Sequence, residues 1–139
     1  MVLDTSVLVA AIRSPGGASR KLLEAALSGQ VQILISTALV LEYEAVLTRI
    51  EHLRVAELTL GEVEELLDAI CRKALEVPIE FQWRPQLRDP DDEMVLEAAI
   101  NGHAEAIVTF NRAHFASAAK QFGLMVLYPR EAIGKAGIL

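Results

Sequence analysis

The opening stretch "MVLDTSVLVAAI" (Met1–Ile12) sets the fold class. A short apolar strand, residues 1–5, runs directly into an apolar helix over "SVLVAAI", which Ser14-Pro15-Gly16-Gly17 breaks. Asp4 stands at the junction, followed by the hydroxyls of Thr5 and Ser6. A carboxylate between apolar flanks is expensive to bury unless something neutralises it. A strand feeding a helix is also the repeating unit of α/β folds, whose ligands bind outside the carboxyl ends of the strands. Asp4 is therefore the first candidate for a functional group.

The same alternation continues along the chain. Leu22, Leu23, Ala26 and Leu27 have helical spacing, and Gly29 stops that helix. "VQILI" (residues 31–35) is a second strand, and Ser36 caps a long helix over residues 37–50. Thr59 with Glu62 forms a capping box for a helix running to about Leu75, with an apolar stripe of Leu58, Leu60, Val63, Leu66, Leu67 and Ile70. "LEVPI" (75–79) reads as an edge strand because of Pro78. "EFQWRPQLR" (80–88) is irregular, and Asp89-Pro90 then opens a helix ending near Gly102. "EAIVTF" (105–110), a helix within residues 111–123, "LMVLY" (124–128) and a short helix from Pro129 complete the chain. The expected architecture is one three-layer α/β/α domain, residues 1–139, around a central, mostly parallel sheet of about five strands.

Hydrophobic residues make up 53% of the 139 and charged residues 23%, the balance of a folded globular chain. The longest apolar run, Val7 to Ile12, is far short of the roughly 20 residues a bilayer requires. With no signal-peptide pattern before Asp4 and only one cysteine, Cys71, the expected location is the cytoplasm. Cys71 is expected to be a small core residue of its helix. The net charge of −6 argues against coating nucleic acid by bulk attraction, but not against a local basic patch.

Several polar groups fall at strand ends: Asp4 and Ser6, Ser36 and Thr37, Thr109 and Asn111. Glu42 flanks the apolar stripe Leu39, Tyr43, Val46, Leu47 and Ile50, whereas Glu44 faces away and should be solvated. Asp89, Asp91, Asp92 and Glu93 crowd one helix N-terminus. Acids favour the positive end of a helix, and Asp89 needs no other role. Those beyond the cap repel one another, which a divalent cation would relieve. Asp4, Glu42 and one of Asp91 or Asp92 would form an oxygen-only ligand set suited to Mg²⁺ or Mn²⁺. Such a site can activate water and stabilise charge on phosphate oxygens.

"VLDTSVLVAAI", "SPGGASRKLLE", "ILISTALVLEYEAVL", "LRDPDDEMVLEAAINGHAEAIVTFN" and "VLYPREAI" together resemble the PIN-domain family, in particular its bacterial toxin-like branch near the VapC-type ribonucleases. The resemblance implies a Mg²⁺- or Mn²⁺-dependent endoribonuclease, the toxin of a toxin–antitoxin pair, that binds a small antitoxin protein and forms a homodimer or higher homo-oligomer. By the same resemblance Asp4, Glu42 and Asp92 match the family's acids as metal and catalytic residues, with Asp91 adjacent to the third. Ser6 stands where the family often has Asn, and Asn111 where it often has a fourth acid; both are expected to support ligands or water. The missing acid leaves open an inactive PIN scaffold that binds RNA or protein.

Among the remaining residues, His114 follows the strand end that should border the site. His52 and His103 lack ligand spacing, and Gly16-Gly17 is a turn rather than a phosphate loop. Arg13, Arg20, Lys21, Arg84, Arg88 and Arg112 are candidates for RNA phosphates, and Trp83 for a base.

Overall fold

The computed structural model describes residues 1–80 and 89–138. Trp83, Arg84 and Arg88 lie outside the described residues. The elements are β1 (Val2–Leu3), α1 (Thr5–Arg13), α2 (Ala18–Leu27), β2 (Leu34–Ile35), α3 (Thr37–Leu47), α4 (Ile50–Ala56), α5 (Leu60–Lys73), β3 (Leu75–Glu76), α6 (Pro90–Asn101), β4 (Ala106–Val108), α7 (Arg112–Phe122), β5 (Met125–Leu127) and α8 (Pro129–Lys135).

The strands are short, and every pair is parallel. β1 pairs with β4 (Val2 opposite Ile107) and β4 with β5 (Ile107 opposite Val126), while β2 pairs with β3 (Leu34 opposite Leu75). Leu34 N–H donates to the Met1 carbonyl at 2.9 Å and the Met1 amine to the Gln32 carbonyl at 2.9 Å, joining the two pieces in parallel fashion. The spatial order is thus β3-β2-β1-β4-β5, with β1 at the centre. Val2, Leu3, Ile107 and Val108 are fully enclosed, as strands covered on both faces should be. This is the expected α/β architecture with a small sheet.

The helices bury the faces their sequence patterns dictate, except α4, which has no buried residue, and Leu60 at the start of α5, which is exposed. α1 buries Val7, Leu8, Ala11 and Ile12, and α5 buries Val63, Leu67 and Ile70 behind the Thr59–Glu62 capping box. Two expectations need correction. The long helix over 37–50 ends at Leu47, and a separate helix, α4, follows. The Thr48 hydroxyl donates to the Glu44 carbonyl at 2.7 Å, and Arg49 turns to extended backbone, which stops α3. Cys71 is exposed, because the buried stripe of α5 passes through Val63, Leu67 and Ile70 and leaves it outside.

Gly102 ends α6 with an ordinary negative φ, so no backbone strain demands glycine there. Space does: a Cβ would stand 2.8 Å from Val77 Cγ2, 2.9 Å from the Ala98 carbonyl oxygen and 2.9 Å from Leu34 Cδ1. Gly102→Ala is therefore expected to lower stability by about 1–3 kcal/mol, although alanine is the better helix former. Chemical denaturation reads this directly; an unchanged or higher midpoint would show that α6 can shift away from β2.

Candidate active site

The carboxyl ends of β1, β4 and β5 meet the N-terminus of α6 and one side of α3. Asp4 is fixed there by the backbone. Its N–H donates to the Val108 carbonyl at 2.9 Å, extending the β1–β4 ladder, and its carbonyl accepts from Val7 N–H at 2.9 Å, starting α1. Asp is a good N-cap, yet its carboxylate accepts no helix N–H here. Instead Asp4 Oδ2 accepts the Ser6 hydroxyl at 2.8 Å and the Thr109 hydroxyl at 2.7 Å. Both bonds fall on one oxygen, so Oδ1 has no hydrogen bond among the described residues. Asp4 is only 7% exposed, and Thr109 is fully buried. Helix capping thus does not account for Asp4.

Glu42 reaches the site from α3, which is anchored by its neighbour. Tyr43 is buried and its hydroxyl donates to the Leu3 carbonyl, next to Asp4 in the chain. Burial, and secondarily the Asp4 charge, pushes the Tyr43 phenol far up, so it acts only as a donor at neutral pH. Glu42 is half-buried. Its carboxyl is pushed up by burial and then by the charge of Asp91, with Asp89 and Asp4 adding and Arg49 opposing. Glu44 is exposed.

The α6 acids separate into distinct environments. Asp89 is the N-cap and accepts Asp91 N–H at 2.9 Å, as expected of a cap before proline. Asp91 is exposed, whereas Asp92 is buried. The Asp92 carboxyl is pushed up by burial and then by Asp4 and Asp89. His114, whose Nδ1 lies 3.0 Å from Asp92 Oδ2, pulls it partly back. The Asp91 charge is thus felt at Glu42, and the Asp4 charge at Asp92. Glu93 and Glu97 on the same helix are buried as well. Asn111 is exposed; its N–H donates to Thr109 Oγ1 at 2.9 Å, while its side chain does not cap α7.

Asp4, Glu42 and Asp92 thus arrive from β1, α3 and α6 at one end of the sheet, where the Asp4 charge helps to push up both the Glu42 and the Asp92 carboxyls. The donor set is oxygen-only and carries excess negative charge, which fits Mg²⁺ or Mn²⁺ in chemistry. Among the described residues, no three His, Cys, Asp or Glu side chains stand together in an arrangement that could hold a metal ion as they are placed.

Sequence reasoning placed Thr109 at the strand end without a role, and did not see that it shares Asp4 with Ser6. Thr109 follows Ile107 at strand period, on the same side of the chain, which was the available signal. Several candidate RNA-binding cations are already engaged. Arg112 Nη1 donates to Glu131 Oε1 at 2.9 Å and its guanidinium stacks 4.6 Å from the Tyr128 ring centre. Arg20 donates to the Ala11 carbonyl at 2.9 Å. Arg13 Nη1 lies 3.5 Å from His52 Nδ1.

No helix among the described residues is long and apolar enough to cross a membrane. No curated protein and no solved structure matches the chain. The model of the PIN-domain family matches residues 1–113, from β1 through the start of α7 and so across Asp4, Glu42, Asp92 and Asn111. With that match spanning most of its length, the chain belongs to the PIN-domain family.

Proposed function

We propose that the protein is a Mg²⁺- or Mn²⁺-dependent endoribonuclease, the toxin half of a toxin–antitoxin pair. PIN domains are generally nucleases that act with divalent metals. The observation that carries the reading is Asp4: a buried carboxylate, refused to its own helix and held by two hydroxyls with one oxygen left over. Asp4, Glu42 and Asp92 would hold the cation, with Asp91 alongside. Bound there, the cation would supply water activation and neutralisation of phosphate charge. Ser6 and Thr109 orient Asp4, His114 holds Asp92, and Asn111 offers an uncharged polar group at the strand end. A small antitoxin or a second copy of the chain would cover apolar side chains that α3 and α4 expose, among them Leu41, Ile50 and Val55.

A second reading, an inactive PIN scaffold that binds RNA or protein, is favoured by Asn111 standing at the position of an acid and by the absence, among the described residues, of an arrangement that could hold a metal ion as placed. Single-stranded RNA incubated with the protein and Mn²⁺ or Mg²⁺ separates the two. The nuclease reading expects metal-dependent fragments that a chelator abolishes. Intact RNA after long incubation with either metal would leave the scaffold.

A further inference from the structure

A cavity of about 490 Å³ lies at the N-terminus of α2, a volume in the range of small-molecule sites. Two segments link its lining to Asp4. Ala10 lies one helical turn along α1 from Ser6, which holds Asp4. Phe110, 48% exposed as a residue, lines the cavity, and its own N–H lies 3.4 Å from Ser6 Oγ.

The chemistry of the cavity is that of an anion site with an aromatic wall. Gly17 is the N-cap of the ten-residue α2 and supplies no side-chain cap. The first N–H groups of a helix have no partner within it and carry positive partial charge. Ala18 and Ser19, which bear two of them, line the cavity. Ser19 is only 3% exposed, and its Oγ is buried with no hydrogen-bond partner among the described residues, an expensive arrangement that a ligand oxygen would relieve. Arg130 adds a full positive charge. Among the described residues no Asp or Glu lines the cavity, although the chain carries a net charge of −6.

We propose that this cavity is a nucleotide subsite for the RNA strand, with a phosphate at the uncapped α2 N-terminus, Ser19 and Arg130, and a base against Phe110. This deepens the nuclease reading and rests on it for the polymer, but not for the binding itself. Phosphates settle readily on helix N-termini, and stacking on an aromatic ring tolerates any base.

The test measures binding without cleavage, in chelator. Nuclear magnetic resonance follows the Ala18 and Ser19 amides and the Phe110 ring as AMP, adenosine or inorganic phosphate is added to the full chain. AMP should move all three groups, and adenosine or phosphate alone should bind at least tenfold more weakly. Gly17→Asp places a carboxylate where the phosphate would sit. It should weaken AMP at least tenfold while the protein stays folded, the gain from capping α2 being set against a new Cβ 3.2 Å from Ser14 Oγ. Gln30→Asp, the same charge at the other end of the sheet, should leave AMP binding unchanged. Ser19→Ala should weaken AMP several-fold without lowering the midpoint. Unmoved α2 amides, equal binding of free phosphate, or equal weakening by Gly17→Asp and Gln30→Asp would each overturn the subsite. A protein that binds AMP here yet never cuts RNA defeats the nuclease reading alone, whereas one that cuts RNA with silent α2 amides defeats the subsite alone.

Discussion

Asp4→Asn lowers metal-dependent RNA cleavage by about a thousandfold or more, the equivalent of several kcal/mol of lost charge stabilisation, while the fold persists. The geometry makes this substitution selective. The amide oxygen of Asn can take the place of Oδ2 and still accept the Ser6 and Thr109 hydroxyls, which approach at 2.8 and 2.7 Å. The amide NH₂ then occupies the place of Oδ1, where it presents hydrogens instead of a lone pair and removes the negative charge. The backbone bonds to Val108 and Val7 are untouched. Removing the supporting hydroxyls should do less: Ser6→Ala and Thr109→Val each lower cleavage by roughly 10–100-fold, since they orient a ligand rather than supply one. Thr109→Val also leaves the Asn111 N–H without its 2.9 Å acceptor, so its thermal midpoint should fall where that of Asp4→Asn does not. Gel-resolved cleavage and a melting curve on each variant suffice. Equal cleavage by wild type and Asp4→Asn would remove Asp4 from the chemistry and leave the scaffold reading.

Asp4 was legible in the sequence because strand and helix patterns are strong, and a charge at their junction contradicts both. Periodicity placed Glu42 on the flank of a packed stripe, and burial of Leu39, Tyr43, Val46 and Leu47 agrees with that stripe, whereas Ile50, its last member, is exposed at the start of α4 because α3 ends first. It could not show Tyr43 reaching back to the Leu3 carbonyl, because that bond spans forty residues of chain. The choice between Asp91 and Asp92 had no local signal, since adjacent helical positions differ only in which face meets a neighbour. Burial of Asp92 and exposure of Asp91 come from tertiary packing. The break at Thr48 was missed for a different reason: no Gly or Pro marks it, and a hydroxyl bonding back to its own helix leaves no periodicity. The cavity at α2 was hidden because "SPGGAS" reads as a turn, and a missing N-cap side chain is an absence that composition does not report. Arg130 escaped notice by standing two residues past Tyr128, at the end of the last strand, where its approach to the α2 N-terminus depends wholly on how α8 packs.

Glu42→Gln is expected to raise the thermal midpoint at neutral pH without metal, and to lose part of the stabilisation that Mn²⁺ gives the wild type. The sign follows from the carboxyl being pushed up, by burial first and Asp91 second, from an ordinary value of 4.5. Below that ordinary value the group is protonated in both the folded and unfolded states and has no effect on the balance. Between the ordinary and the raised value the folded protein holds the proton more tightly. Above the raised value the group is ionised in both states, and the folded state carries the unfavourable burial and repulsion in full. The wild type therefore loses this stability as pH rises through the folded value, and the neutral amide does not. Because Glu42 is only half-buried, water screens much of the effect, and a gain of about 1–2 °C at pH 7 is expected, shrinking to nothing near pH 4. A divalent cation reverses the order. Binding the folded state at a hundredfold excess over Kd adds about 2.7 kcal/mol, several degrees for a chain of this size, and the full carboxylate set binds more tightly than one containing an amide. Melting curves of both proteins at pH 4 and pH 7, with and without Mn²⁺, give four differences whose signs are all specified. A lower midpoint for Glu42→Gln at neutral pH without metal would mean that Glu42 has a favourable structural partner and is not held in reserve for a cation. An equal Mn²⁺ shift in the two proteins would place the cation elsewhere. Burial and neighbouring acids push the Glu42 and Asp92 carboxyls up, so a cation that binds at Glu42 has that unfavourable charge to relieve, which is what the Mn²⁺ arm of the experiment reads.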